Sequence, residues 1–184
     1  TTLIKNSSLF GALQTEYLVL EIDERSFPGI RKVLPGRNLG LTNLQKDQVQ
    51  RNGDPDFILR KIRGAVSEDM TLFLNNEEPR SRSLEDYAGK TVYFSVDSNQ
   101  YSYTNDDFYA VTLPCPKCGH PIAYAQYNLA NIGAFRCTKC NYQSHKNVHV
   151  SVSQIDFDRK NFVHFEKADF NDGDNFEFMD VIIN

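Results

Sequence analysis

The sequence predicts an α/β fold: a mostly parallel sheet with helices, and a small β-rich module inserted late in the chain. Three observations carry this reading. Short apolar runs alternate with helical patterns through the first half, the rhythm of βαβ units. After about Asn99 the helical patterns give way to β-branched and aromatic runs separated by Asp, Asn and Gly. Within that second half stand two Cys-x-x-Cys pairs, eighteen residues apart, in a chain with no other cysteine.

In chain order, "EYLVLEI" from Glu16, "NLGLT" from Asn38, "MTLFLN" from Met70 and "TVYFSV" from Thr91 are compact apolar runs. They read as buried strands of a largely parallel sheet. Between the first two, "SFPGIRKVL" offers Ser26 as a cap shortly before Pro28; between the next two, "DPDFILRKIRGAV" sets Asp54 before Pro55 at a first helical turn. Phe57, Ile58, Ile62, Ala65 and Val66 then share a face at helical spacing. In the second half "FYAVTL", "NVHVSVSQIDF", "NFVHFEKADF" and "NFEFMDVII" predict antiparallel hairpins flanking the cysteine module. The expected division is residues 1–108, the inserted module at 109–150, and a β-rich return at 151–184.

Composition bounds the function. Apolar residues make up 40% and charged residues 24%, ordinary for a globular protein. No apolar run approaches the roughly 20 residues that cross a bilayer, and "TTLIKNSSLFGALQ" lacks the apolar core and cleavage site of a secretory signal. No membrane span and a cytoplasmic location are therefore expected. The net charge of −4 is uneven: Arg25 to Arg63 holds nine Lys/Arg against three Asp/Glu, and Ser151 to Asn184 eight acids against three bases. Such runs read as solvated faces, and nucleic acid calls for a more basic domain.

"CPKC" and "CTKC" can each fold as a tight knuckle whose backbone amides point at sulfur. Two facing knuckles supply the tetrahedral thiolate set that zinc prefers, so Cys115, Cys118, Cys137 and Cys140 are the predicted zinc ligands. Four protein ligands close the shell, which makes the site structural rather than catalytic. His120, His145, His149 and His164 read as surface histidines. The module has Lys117, Arg136, Lys139 and Lys146, no acid between Phe108 and Val150, and Tyr124, Tyr127, Phe135 and Tyr142 as stacking candidates for bases. Four thiolates on one Zn²⁺ carry two negative charges, however, which leaves an effective charge of about +2 and a weak electrostatic case for nucleic acid. The aromatics are expected to pack the hairpins around the metal.

Two further segments add a resemblance. "LVLEIDERSFPGIRKVLPGRNLGLTNLQKDQVQRNGDPDFILRKI" followed by "TLFLNNEEP" resembles the central ATP-binding domain of the Mur ligases, in particular the MurT-like branch. That branch has a strand ending in Glu-x-Asp-Glu, then a Thr/Leu-Asn segment running into Asp-Gln-x-Asp-Arg-x-Gly, then a strand ending in Leu-Asn-Ala-Asp-Asp-Pro. It also carries a four-cysteine ribbon whose approach to the second knuckle is similar to "NIGAFRC" here. The ordered set covers about Glu16 to Phe170.

The resemblance implies a Mur-ligase-type central domain with an inserted zinc ribbon. It further implies the ligase subunit of a lipid II isoglutaminyl synthase. Such a subunit uses ATP and Mg²⁺ to activate a D-glutamate carboxyl of the peptidoglycan stem, which ammonia from a GatD-like glutaminase partner then attacks. Glu21 would bind Mg²⁺ beside the ATP phosphates, at the carboxyl end of the first strand. Asp23 and Glu24 follow it, and capping the helix near Ser26 accounts for them equally well. Thr42, Asn43, Asp47 and Gln48 either line the nucleotide or substrate cleft or cap a helix. The departures are Gln50 in place of an aspartate, Asn76, Glu77 and Glu78 in place of Ala-Asp-Asp, and the absence of a Gly-Lys-Thr phosphate loop. The chain is accordingly expected to be a fragment of a longer ligase, inactive alone. The alternative is a stand-alone zinc-ribbon module for nucleic acid or a protein partner.

Overall fold

The computed structural model describes residues 19–34, 36–44, 54–96, 98–104, 113–129, 132–156, 162–167 and 181–182, with backbone alone for Leu129 and from residue 152 onward. Helix α1 spans Phe27–Val33 and leads to strand β1, Asn38–Leu41. Helix α2, Pro55–Arg63, leads to β2, Thr71–Asn75. The single turn α3, Pro79–Arg82, runs into a 3₁₀ turn at Ser83–Tyr87 and then β3, Lys90–Val96. Strands β4, Ile122–Leu129, and β5, Ile132–Cys137, form a separate antiparallel pair. Strands β6, Val150–Asp156, β7, Phe162–Lys167, and β8, Val181–Ile182, complete the main sheet.

The main sheet runs β1-β2-β3-β6-β7-β8. Its first four strands are parallel, with Leu41 opposite Leu74, Asn75 opposite Phe94 and Val96 opposite Val152. Strands β7 and β8 then add antiparallel. This is the mostly parallel α/β sheet expected from the βαβ rhythm, and the cysteine hairpin is inserted between its third and fourth parallel strands. The return after the module is only partly the expected set of hairpins, because β6 pairs parallel to β3 before turning back into β7. Of "FYAVTL" only Leu113 falls among the described residues, where it is not in a strand.

Helix α2 shows how local sequence sets local structure. Asp54 caps it, its carboxylate accepting from Asp56 N at 2.8 Å, and Pro55 fills the first turn. Pro55, Ile58, Leu59 and Ile62 form the buried face. Phe57 does not join it: the residue is 45% exposed, with the Lys61 ammonium 4.6 Å from its ring centre. The true stripe follows i, i+3, i+4, i+7 from Pro55, one position out of phase with Phe57. Ala65 and Val66 lie past the helix end and pack against the core from there. Ser26 is the α1 cap position, but its side chain makes no capping bond.

That core is Phe27, Leu41, Leu44, Ile58, Leu59, Ile62, Met70, Leu72, Leu74 and Leu84, gathered between the helices and β1–β2. The cysteine hairpin has its own cluster of Cys115, Ile122, Phe135, Cys137 and Tyr142.

The strand expected from Glu16 is a correction. Residues 19–22 adopt no regular structure and Val19 is 94% exposed; residues 16–18 lie outside the described set. A strand exists only where a neighbour takes its backbone N–H and C=O groups, and among the described residues β1 pairs with β2 alone. Leu20 and Ile22 instead line a cavity of about 460 Å³ beside α1 and β1, together with Phe27, Ile30, Leu39 and Met70.

Candidate metal centre and its seat on the sheet edge

The two knuckles form as the cysteine spacing predicts. Gly119 N donates to Cys115 O at 2.8 Å, and Gly119 itself has φ +76°, a conformation that glycine adopts without cost, so the chain can turn away after "CPKC". At the second knuckle Cys137 N donates to Tyr142 O at 2.7 Å, while Lys139 N and Cys140 N both donate to Cys137 Sγ at 3.4 Å. These amides, Cys140's first, hold the Cys137 thiol down at about 6, whereas burial pushes Cys115 up to about 12.

The hairpin between the knuckles needs glycine for a second reason. A Cβ at Gly133 would lie 2.0 Å from Gln126 O and 2.7 Å from Tyr127 Cα, so "NIGAF" marks a close approach of β5 to β4.

The four sulfurs lie within 4.8 Å of one another and could hold a metal ion. The Cys118 Sγ is 3.5 Å from those of Cys137 and Cys140, and the Cys115 and Cys140 sulfurs are 3.8 Å apart. A tetrahedron with metal–sulfur bonds of 2.3 Å has edges of about 3.8 Å. These three spacings match the edges of a tetrahedral thiolate centre. Tyr127, Phe135 and Tyr142 are buried and Tyr124 half-buried, the Tyr124 and Tyr127 rings stacking at 4.7 Å. As expected, these rings pack the hairpins, and they do not offer open faces to bases.

What the sequence reading missed is how this module is fixed to the sheet. The parallel strands β1, β2 and β3 end together, and the β2–α3 turn at that edge is a buried polar clasp. Glu78 caps α3, accepting from Arg80 N at 3.2 Å and Ser81 N at 2.6 Å; burial raises its carboxyl above the usual range. Asn75 Nδ2 donates to Thr42 O at 2.9 Å, and Ser81 Oγ donates to Leu41 O at 2.8 Å, which ties the end of β1 to the same turn.

The cysteine module grips this clasp from the other side. Asn128 Nδ2, on β4, donates to Glu77 Oε1 at 2.6 Å and to Val96 O at 2.7 Å. Tyr142 Oη donates to Pro79 O at 2.6 Å. Asn76 and the His145 backbone exchange two bonds, His145 N to Asn76 Oδ1 at 2.8 Å and Asn76 Nδ2 to His145 O at 3.0 Å. Arg82, almost fully buried, lies 2.8 Å from His145 Nε2 and 3.3 Å from Glu85 Oε2, with its guanidinium 4.7 Å from the Tyr142 ring centre. Its Nε and Nη1 find no hydrogen-bond acceptor among the described residues, and the Tyr142 ring face lies against the guanidinium. Glu85 also accepts from Tyr93 Oη at 2.8 Å, and Lys117 pairs with Asp86.

Asn76, Glu77 and Glu78, the positions that depart from Ala-Asp-Asp, are buried at 2%, 5% and 3% exposure. His145 is exposed, as expected, although it also joins the seat, whereas His149 is half-buried: Tyr93 N donates to His149 Nδ1 at 2.9 Å, and burial, then Lys90 and His145, lower the His149 pKa. His120 stays at the surface end of its knuckle, its ring 3.1 Å from Cys118 O. His164 is described by backbone alone, in β7.

The predicted nucleotide-edge residues are only partly gathered. Thr42 and Asn43 sit exposed just past the end of β1, beside Asn75. Glu21 is exposed but not at a strand end, and among the described residues no hydrogen bond joins it to Thr42 or Asn43. Asp23 is occupied locally: its carboxylate takes Arg25 N at 3.0 Å and Arg25 Nε at 3.1 Å, and this pairing lowers its pKa. Glu24 lines the cavity beside α1. Asp47, Gln48 and Gln50 lie outside the described residues.

Fold and site together define a mostly parallel α/β domain carrying a four-cysteine hairpin on the carboxyl edge of its sheet. In fold it is similar to a pseudomurein peptide ligase type C from Methanothermus fervidus, with a TM-score of 0.55 and 17% identity over 80% of this chain and 35% of that one. In sequence it is similar to MurT, a subunit of lipid II isoglutaminyl synthase (glutamine-hydrolyzing), from Staphylococcus aureus strains COL and N315. Each is 27% identical over 131 residues, which is 71% of this chain. The chain spans 30% of the length of these curated relatives. No family model matches it. The chain is thus MurT-like in sequence and Mur-ligase-like in fold, as its motifs indicate. Among the described residues no helix is long and apolar enough to cross a membrane.

Proposed function

We propose that this chain is part of an ATP-dependent amide ligase that amidates the D-glutamate of the lipid II stem peptide with ammonia from a GatD-like glutaminase, in the cytoplasm. The observation that carries the reading is the likeness to MurT across most of the chain, together with a sheet whose parallel strands end at one shared edge. In open α/β sheets that edge is where ligands bind.

In this reading Cys115, Cys118, Cys137 and Cys140 hold a structural zinc, supported by the fit of their sulfur spacing to a closed tetrahedral shell. The zinc supplies folding free energy rather than chemistry. Glu21 is an Mg²⁺ ligand: its carboxylate is exposed and unpaired among the described residues, and Mg²⁺ takes few protein ligands beside phosphate oxygens. Thr42 and Asn43, with Asp47 and Gln48 beyond them, contribute to the nucleotide or substrate side of the edge. The chain alone has no glycine-rich loop to hold a triphosphate and does not turn over by itself.

The test is amidation of lipid II by the complete ligase containing this chain, with its glutaminase, ATP and glutamine. Conversion of the glutamate carboxyl to an amide, dependent on both ATP and the partner, supports the reading. Absence of product from folded, metal-loaded complex contradicts it.

A further inference from the structure

The four cysteines are not equivalent. Cys115 and Cys137 are buried and Cys140 is half-buried, but Cys118 is exposed. Its sulfur is also the one within 3.5 Å of two others, Cys137 and Cys140, both on the opposite knuckle. Lys139, which has no carboxylate partner among the described residues, sits immediately before Cys140, whereas Lys117, immediately before Cys118, is paired with Asp86 and Glu85. Exposed thiolates with a second thiol poised beside them are the ones that oxidants reach first.

We infer that Cys118 is an oxidant-reactive modification site, and that a peroxide converts it and a cysteine of the facing knuckle into a disulfide that dismantles the metal centre. This rests on the metal reading above. In the first step the Cys118 thiolate attacks a peroxide oxygen. A sulfur–oxygen bond forms, the oxygen–oxygen bond breaks, and hydroxide leaves to be protonated to water. In the second, the Cys137 or Cys140 thiolate attacks the Cys118 sulfenic sulfur. The disulfide forms, the sulfur–oxygen bond breaks, and a second hydroxide leaves as water. Two thiolates are oxidised by two electrons in total, and one peroxide with two protons becomes two waters.

The remaining two thiolates cannot close a tetrahedral shell. The consequence reaches the sheet edge, because Tyr142 and His145 follow the second knuckle directly and hold Pro79, Asn76 and Arg82. Oxidation at Cys118 therefore releases one half of the grip on the β2–α3 turn.

The experiment uses the full chain with its metal content measured beforehand. Hydrogen peroxide is added, released metal is followed with a chromophoric chelator, and disulfides are mapped by mass spectrometry. In parallel, metal-loaded protein is labelled with substoichiometric N-ethylmaleimide. The expected results are metal loss in step with a disulfide from Cys118 to Cys137 or Cys140, reversal by a thiol reductant plus zinc, and first labelling at Cys118. Metal retained under excess peroxide, a disulfide within one knuckle, or first labelling at another cysteine overturns the site. Protein that purifies without metal sinks the metal reading and this inference together, whereas retained metal sinks this inference alone.

Discussion

Asn128 of the cysteine hairpin donates to Glu77 of the β2–α3 turn at 2.6 Å, and the same amide group donates to Val96 O at 2.7 Å, so one side chain joins the hairpin to two strand ends. Glu77 Oε2 also accepts from Val96 N at 3.2 Å. Asn128→Ala removes a donor from a buried carboxylate and one from a carbonyl. The expected loss is about 1–3 kcal/mol, the cost of leaving such groups unsatisfied, read as a lower denaturant midpoint with the metal still bound.

Tyr142→Phe tests the second anchor. It deletes the bond to Pro79 O but keeps the ring under Arg82. Destabilisation of about 1 kcal/mol is expected in chemical denaturation, whereas Tyr142→Ala also removes the ring that covers Arg82 and costs more. Equal effects for the two variants would contradict the cation–ring contact.

Gly133→Ala forces a Cβ against Gln126 O, where backbone atoms on both sides leave no side chain to move aside. The expected result is destabilisation of about 1–3 kcal/mol, the usual scale of overpacking, with weaker metal retention under chelator challenge. A variant indistinguishable from the parent in both assays would show that the hairpin strands do not approach so closely.

Glu78 gives a pH signature. Its carboxyl is buried and its pKa is raised chiefly by desolvation, against the opposing amides of Ser81 and Arg80. A group whose folded pKa is raised stabilises the fold below its unfolded pKa, and that contribution is lost as pH rises through the folded value. Relative to Glu78→Gln, which has no titrating proton there, the parent should gain stability as pH falls from neutral toward the ordinary glutamate range. Thermal melts of both proteins across that interval check it, and parallel curves would contradict it.

These cases separate what the sequence carries locally from what it does not. The Asp54–Pro55 helix start, the strands at Met70 and Thr91 and the cysteine knuckles are each set by residues within a turn or a short run, and all are legible. Phe57 reads as part of the buried face because an apolar residue one step off the stripe looks the same in a short window until packing chooses the phase. The run from Glu16 reads as a strand by composition, but residues 19–22 have no partner strand among the described residues to complete one. The seat of the metal module was invisible for a different reason. Asn128 and Glu77 are 51 residues apart and His145 and Asn76 are 69 apart, and pairs of that kind leave no periodicity. The one available signal was "NNEEPRSR", a run of polar residues directly after a buried strand, where burial demands partners.

The most direct test of the proposed ligase role is lipid II amidation by the complete ligase–glutaminase pair, comparing Glu21→Ala with the parent at saturating ATP and Mg²⁺, with metal content and fold measured on both. Severe loss of turnover at unchanged metal content and unchanged fold is the predicted result, because Glu21 and the cysteine centre belong to different parts of the chain. Near-normal turnover in the Glu21→Ala protein, or loss of its fold along with its activity, would contradict the assignment.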